Sequence, residues 1–170
     1  IVGSNEPIVI DEAELERRIS VPAVAADLKR VMMGSAADFL SYFALGPEGM
    51  RSFGRDGILN TDDNLYLEFS APFSIGRASV MTENVSAIVR HRERIIPYLA
   101  PGATSAARDM QLKRWEDMDL PIGMMDEALV LYLGGGQSTP GFQQVMIELK
   151  NRYPRFAPAR FLREAYLESG

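Results

Sequence analysis

The sequence contains no cysteine, and it has one histidine and one tryptophan among its 170 residues. Without cysteine the chain has no disulfide, no thiolate metal ligand and no cysteine nucleophile, and this composition fits a reducing compartment. The single histidine, His91, lies in the arginine-rich run RHRER. No Asp or Ser stands at a catalytic-triad spacing from it, so we expect no catalytic role for His91.

Long hydrophobic runs are also missing. No apolar stretch approaches the roughly 18 to 20 residues that a membrane-spanning helix needs, and the first residues lack the basic leader of a signal peptide. The net charge of -5 is spread along the chain, which disfavours non-specific binding to nucleic acid. Apolar residues (46%) and charged residues (24%) have the balance of a folded globular protein. Because the chain begins with Ile, we expect it to be a soluble piece of a longer protein.

The spacing of the apolar residues predicts a mainly helical chain. Leu15 and Ile19 lie four residues apart, Pro22 restarts a helix, and Ser35 with Asp38 forms an N-terminal capping signal. Beyond Gly76 we expect helices at about 80–99, 104–119, 123–133, 140–152 and 157–168, separated by proline or glycine.

Two short stretches predict extended structure. Residues 1–10 hold two β-branched runs separated by a turn cluster. In LNTDDNLYLEFSAP, which covers residues 59–72, a polar turn precedes an alternation of apolar and polar residues at 65–69. The expected fold class is therefore mainly α with a small β element.

The same stretch contains the candidate binding residues Asn60, Asp62, Asp63 and Glu68. Adjacent carboxylates near the start of a strand could hold a cationic amine or a metal. The alternative is a turn in which Asn and Asp bond their own backbone, with Glu68 facing water. The sequence contains no catalytic-residue pattern and no metal-ligand spacing beyond what chance would give.

The run LVLYLGGGQSTPGF superficially looks like a strand, a glycine-rich loop and a helix. Gln137 stands where a cofactor loop would have an acid, so Gly134, Gly135 and Gly136 are better explained as a hinge between helices. The surrounding segment, DEALVLYLGGGQSTPGFQQVMIELKNRYPRFAPARFLREAYL, resembles one degenerate tetratricopeptide repeat.

The block GRDGILNTDDNLYLEFSAP resembles the C-terminal end of the spermidine-synthase-like (aminopropyltransferase-like) domain. It is most similar to the bacterial branch in which that domain is fused to a membrane segment and followed by helical repeats. IVGSNEP and AADFLSYFALGPEGMRSF fit the same resemblance. The resemblance implies two regions: residues 1–75 would supply the last strands of an α/β methyltransferase-like sheet, and residues 76–170 would form helical hairpins.

The resemblance further implies that the parent protein performs aminopropyl transfer in polyamine biosynthesis, with S-adenosylmethionine or its decarboxylated form as cofactor. The cofactor loop and the catalytic Asp would precede residue 1, so we expect no catalytic or cofactor-binding residue in this chain, no activity of the chain alone, and a cytoplasmic location. The alternative function is a non-enzymatic module in which residues 76–170 bind a protein or peptide. The rest of the parent chain and a second copy of this chain are the other expected partners.

Overall fold

A computed structural model describes residues 7–58, 63 and 77–164 of the chain. Over these residues the protein is mainly helical, as the sequence predicts, with eight α-helices and one short 3₁₀ helix. The α-helices are α1 (Glu12–Ile19), α2 (Pro22–Lys29), α3 (Ala36–Leu40), α4 (Pro47–Phe53), α5 (Ala78–Arg90), α6 (Ser105–Gly135), α7 (Pro140–Arg152) and α8 (Ala157–Leu162). The 3₁₀ helix, Ile96–Tyr98, lies between α5 and α6. No helix in this part of the chain combines the length and the hydropathy that crossing a membrane requires.

The first helices begin where their capping residues predict. An Asp11 carboxylate oxygen accepts a hydrogen bond from the Ala13 amide at 2.9 Å, which caps α1. The Ser35 hydroxyl accepts from the Asp38 amide at 3.1 Å and caps α3. Pro22 is the first residue of α2, a position where its missing N–H costs no helical hydrogen bond. These boundaries of the sequence prediction are confirmed.

The predicted break between helices near Pro121 is wrong, because α6 continues through it for 31 residues. A proline inside a helix removes one hydrogen bond and crowds the preceding turn, at a cost of about 3 kcal/mol. Pro121 is fully buried here, and so are Trp115 before it and Ala128 after it. Tertiary packing on both sides of the proline therefore offsets the local preference for a break.

The predicted helix at 80–99 is confirmed over residues 80–90, but its predicted end is wrong, because α5 ends at Arg90. Beyond it the Glu93 amide donates to the Ala44 carbonyl at 2.9 Å instead of to a carbonyl of its own helix. Pro97 then lies inside the 3₁₀ helix. Beyond Arg90 the chain thus bonds to a distant segment instead of continuing the helix.

The small β element of the predicted fold class is not shown over the described residues. Ile10 and Leu99 form one isolated parallel bridge. In it the Ile10 amide donates to the Tyr98 carbonyl at 2.7 Å, and the Ala100 amide donates to the Ile10 carbonyl at 2.8 Å. The predicted strand at 65–69 lies outside the described residues, as does most of the extended stretch at 1–10. The α/β sheet implied by the family resemblance therefore stays a prediction.

One hydrophobic core lies where α6, α7 and α8 meet. Its buried members are Met124, Met125, Ala128, Phe142, Leu149, Phe156, Ala159 and Leu162. Helix α6 ends at Gly135, and Gly136 follows with a φ of 77°, a left-handed conformation that favours glycine. Gly134 and Gly135 thus belong to the last turn of α6, and the predicted break between the two helices of the hairpin is confirmed only at Gly136.

A second core cluster consists of Leu40, Ile95, Leu99 and Trp115. The Trp115 indole N–H donates to a Glu12 carboxylate oxygen at 3.0 Å, which ties α1 to α6. This cluster joins residues from both sides of the predicted boundary between residues 75 and 76. The boundary itself lies outside the described residues, and the division into two regions stays a prediction.

Candidate functional site

A pocket of about 520 Å³ lies between α5, α6, α8 and the turn that follows α3. Its volume falls in the range of roughly 300–1,000 Å³ that is usual for small-molecule sites. The apolar and aromatic residues that line it are Met81, Val85, Ile122, Met125, Leu129, Tyr132, Leu133, Phe156, Pro158, Phe161 and Leu162. Four further residues line it with polar groups: Ser41, Tyr42, Arg92 and Asp126. An apolar wall with a few polar groups is the usual composition of a ligand pocket.

Arg92 and Asp126 form an ion pair in the pocket wall. Their side chains are 22% and 8% exposed, respectively. One terminal guanidinium nitrogen of Arg92 donates to Asp126 Oδ1 at 2.7 Å, and the other donates to the Phe43 carbonyl. Arg92 Nε lies against Asp126 Oδ2 in an ionic contact that does not have hydrogen-bond geometry. The pair therefore places two opposite charges, with no net charge, against an apolar cavity.

Burial dominates the protonation of Asp126. Its burial raises the pKa of its carboxyl above the ordinary value of 3.8, while the hydrogen bond and charge of Arg92 act in the opposite direction and only in part offset it. Removing a carboxylate from water is costly even beside a cation. The ionised carboxylate of Asp126 is therefore less stable here than in water, and further hydrogen-bond donors would stabilise it.

Tyr42 contributes a hydroxyl group to the pocket lining, in the turn after α3. Tyr42 is 37% exposed, and its partial burial, together with the nearby Asp38 carboxylate, raises the pKa of the phenol to about 12. The group is thus a neutral hydroxyl at physiological pH. The neighbouring Ser41 is buried, and its hydroxyl donates to the Asp38 carbonyl at 2.6 Å, which fixes the turn.

The segment that carries Arg92 is held in place by its neighbour Glu93. Glu93 Oε2 accepts from the Gly49 amide at 2.6 Å, and Oε1 accepts from the Tyr98 hydroxyl at 2.5 Å. The Gly49 amide belongs to the first turn of α4, where free N–H groups attract a carboxylate. A Cβ at Gly49 would lie 2.6 Å from Glu93 Oε2 and 2.6 Å from the His91 backbone carbonyl oxygen, so only glycine allows this close approach.

The protonation of Glu93 reflects these contacts. Burial alone would raise the pKa of its carboxyl, but hydrogen bonds from Tyr98 and from the Gly49 and Gly46 amides outweigh burial and lower it. The ionised form of Glu93 therefore orders residues 46–49, the GPEG turn at the start of α4, and through it the segment beside the pocket.

The sequence-predicted site residues are not among the described residues that line this pocket. Asn60, Asp62 and Glu68 lie outside the described residues. Asp63 is described, and it is an exposed residue in a turn. The proposed proximity of these four side chains to a substrate stays a prediction.

Sequence reasoning missed Arg92, Asp126 and Tyr42. Arg92 belongs to the RHRER run, whose dense charges are typical of a solvated helix face. Asp126 carried a usable signal, because it lies four residues after Ile122 and three before Leu129, on the apolar stripe of its helix. A lone acid on such a stripe needs a partner, and here the partner is Arg92.

Two further observations concern catalysis and metals. The ring of His91 packs edge-on against Phe53, with 6.2 Å between ring centroids, as a structural residue does. Among residues 7–58, 63 and 77–164, no group of three or more His, Asp or Glu side chains is arranged to hold a metal ion.

Comparisons of the chain with protein-family models, curated proteins and solved structures found no match.

Proposed function

We propose that this chain is a non-enzymatic binding module that holds an apolar small molecule in the pocket between α5, α6 and α8. The observation that carries the proposal is the pocket itself. It has about 520 Å³ of space, predominantly apolar walls and a buried ion pair among its few polar groups. Burial of an apolar ligand against these walls would supply the binding energy, at about 25 cal/mol per Å² of apolar surface removed from water.

The polar groups of the pocket support binding rather than covalent chemistry. Arg92 and Asp126 bond to each other, and Ser41 donates to a backbone carbonyl. The phenol of Tyr42 has its pKa raised to about 12, which makes it a poor nucleophile at neutral pH. A hydroxyl or carboxyl group engaged in this way orients a ligand and does not attack it.

The experiment uses the neutral fluorescent dye N-phenylnaphthylamine, whose emission rises in apolar surroundings. Met81 lines the pocket and is 58% exposed, so Met81→Trp would fill the pocket entrance without disturbing a buried side chain. Ile147 on α7 is 60% exposed and lies outside this pocket, which makes Ile147→Trp the matched control.

We expect saturable dye binding to the unmodified chain and to the Ile147→Trp variant. Binding should weaken by about tenfold in the Met81→Trp variant, equivalent to about 1.4 kcal/mol. Equal affinity in all three proteins, or no saturable binding to any of them, would overturn the proposal.

A second candidate function rests on the string GRDGILNTDDNLYLEFSAP. We propose on this basis that the chain is the C-terminal region of a spermidine-synthase-like protein and is inactive alone. The test adds decarboxylated S-adenosylmethionine and putrescine to the isolated chain and measures spermidine formation. No turnover above background is expected, and turnover would refute the proposed inactivity. The binding of a protein partner by residues 76–170 also stays a proposal, supported by the hairpin of α6 and α7.

A further inference from the structure

We infer that the ligand of this pocket is an uncharged molecule with an apolar body and one hydrogen-bond donor, such as a hydroxyl group, that bonds to Asp126. The inference rests on the proposed binding function and specifies the chemical class of the ligand. It follows from the balance of charges, donors and acceptors in the pocket wall.

The charge balance excludes ionic ligands as the preferred class. Arg92 and Asp126 lie in direct contact, so a ligand next to one charge is also close to the opposite charge. An anion placed at the pair would be repelled by Asp126, and a cation would be repelled by Arg92. Neither ion gains enough from the pair to offset the loss of its own hydration inside an apolar cavity.

The hydrogen-bond balance favours a ligand hydroxyl, which can both donate and accept. Of the five N–H groups of the Arg92 guanidinium, one donates to Asp126 and one to the Phe43 carbonyl, and Nε lies against Asp126 Oδ2 without hydrogen-bond geometry. An ionised carboxylate offers about four acceptor positions. Among the described residues, only Arg92 is in polar contact with the Asp126 carboxylate, once at each oxygen.

The spare acceptor positions of Asp126 are shielded from bulk water and lie beside the pocket. The Asp126 side chain is 8% exposed, so bulk water does not fully solvate it, and its residue lines the pocket. A buried acceptor without its full set of donors costs free energy, and a ligand that supplies a donor recovers part of it. A hydroxyl group at the end of an apolar chain meets both requirements, because its chain occupies the apolar walls.

The test compares four compounds with unbranched chains: decanol, decanoate, decylammonium and nonyl methyl ether. The ether has the same number of heavy atoms as decanol but no donor. Each compound is titrated by displacement of N-phenylnaphthylamine and also directly by calorimetry. We expect decanol to bind at least about tenfold more tightly than either ion, and more tightly than the ether. An ion or the ether binding as tightly as decanol would overturn the inference.

A variant supplies an independent readout. Asp126→Asn removes the negative charge and leaves the Arg92 cation in the pocket wall, so decanoate should gain at least about tenfold relative to decanol. Asp117→Asn is the control, because Asp117 lies on the same helix with an exposed side chain and pairs with Lys113. An unchanged ratio of the affinities for decanoate and decanol in a folded Asp126→Asn protein would contradict the inference. If that variant does not fold, the order of the four affinities in the unmodified chain decides.

The two proposals fail in different ways. If the dye binds and responds to Met81→Trp but decanol has no advantage over the ions and the ether, the ligand class is wrong and the binding function stands. If neither the dye nor any of the four compounds binds by calorimetry, both proposals are refuted.

Discussion

The ion pair of Arg92 and Asp126 gives the sharpest test of the energetics, because two substitutions of Asp126 should have very different effects. Asp126→Ala removes both acceptor oxygens and leaves the Arg92 cation without its partner. Breaking a buried pair in this way costs about 3–5 kcal/mol. The Arg92 side chain retains 22% exposure and its bond to the Phe43 carbonyl, so we expect the lower end, about 3 kcal/mol.

Asp126→Asn should cost much less. The asparagine oxygen can still accept a hydrogen bond from Arg92, and the substitution removes the carboxylate whose burial raises the pKa of Asp126. A raised pKa means that folding favours the protonated side chain more than unfolding does. We therefore expect Asp126→Asn to lose less stability than Asp126→Ala at neutral pH, by about 1–2 kcal/mol, because the asparagine oxygen keeps a hydrogen bond to Arg92.

The pH dependence has a definite sign. Because the pKa of Asp126 is higher in the folded state than its ordinary value of 3.8, the folded protein binds more protons between these two values. The contribution of Asp126 to stability is thus fully present below pH 3.8 and decreases as the pH rises through the folded pKa. Relative to the unmodified protein, Asp126→Asn should gain stability over this window.

The assay is urea unfolding followed by the fluorescence of Trp115, the single and buried tryptophan. It is performed on the Asp126→Ala, Asp126→Asn and Asp117→Asn variants, both below pH 3.8 and at neutral pH. Asp117→Asn should change stability by no more than about 0.5 kcal/mol, because its partner Lys113 is exposed. A loss in Asp126→Asn equal to that in Asp126→Ala would show that charge, and not hydrogen-bond geometry, stabilises the pair, and would refute the reasoning.

Three further predictions concern packing and the GPEG turn, and urea unfolding checks each of them. Gly49→Ala should lose about 2 kcal/mol, because its Cβ would lie 2.6 Å from the His91 backbone carbonyl oxygen, which cannot move aside as a side chain can. Gly134→Ala, whose Cβ meets nothing within 4 Å, should be neutral or gain up to about 1 kcal/mol, and equal effects would contradict the steric argument. Glu93→Gln should lose about 1–2 kcal/mol at neutral pH. Since the pKa of Glu93 is lowered below 4.5, this stability is present above pH 4.5 and disappears as the pH falls through the folded pKa, and a loss that persists in acid would argue against it. Phe142→Ala should lose about 3–5 kcal/mol of stability, because the ring is 1% exposed in the core between α6, α7 and α8. A loss below about 1 kcal/mol would show that neighbouring side chains fill the cavity left by the ring.

Local signals predicted the helices whose boundaries depend on neighbouring residues. Asp11 and Ser35 cap α1 and α3 through bonds to amides two or three residues further along the chain. Pro22 begins α2 as its fixed φ angle favours, and Gly136 ends the first helix of the hairpin. In each case the residues that decide the boundary are adjacent in sequence, so the pattern was sufficient.

Distant contacts decided the boundaries that sequence reasoning placed wrongly. Helix α5 ends where the Glu93 amide meets Ala44, and α6 continues through Pro121 because residues on both sides of it are buried. Neither the partner carbonyl nor the packing surface is visible in a window of sequence around these positions. Propensity was overridden by tertiary structure at both places.

The candidate site depends on the same distant contacts. The Phe43 carbonyl that accepts from Arg92 is 49 residues away in sequence, and the Gly49 amide bound by Glu93 is 44 residues away. Asp126 could be recognised as an acid on an apolar stripe, but only the fold supplies its cation. The turn after α3 and the end of α5 therefore both contribute to the pocket wall. The pocket consequently belongs to both parts of the chain, and the helices that follow residue 76 do not form it alone.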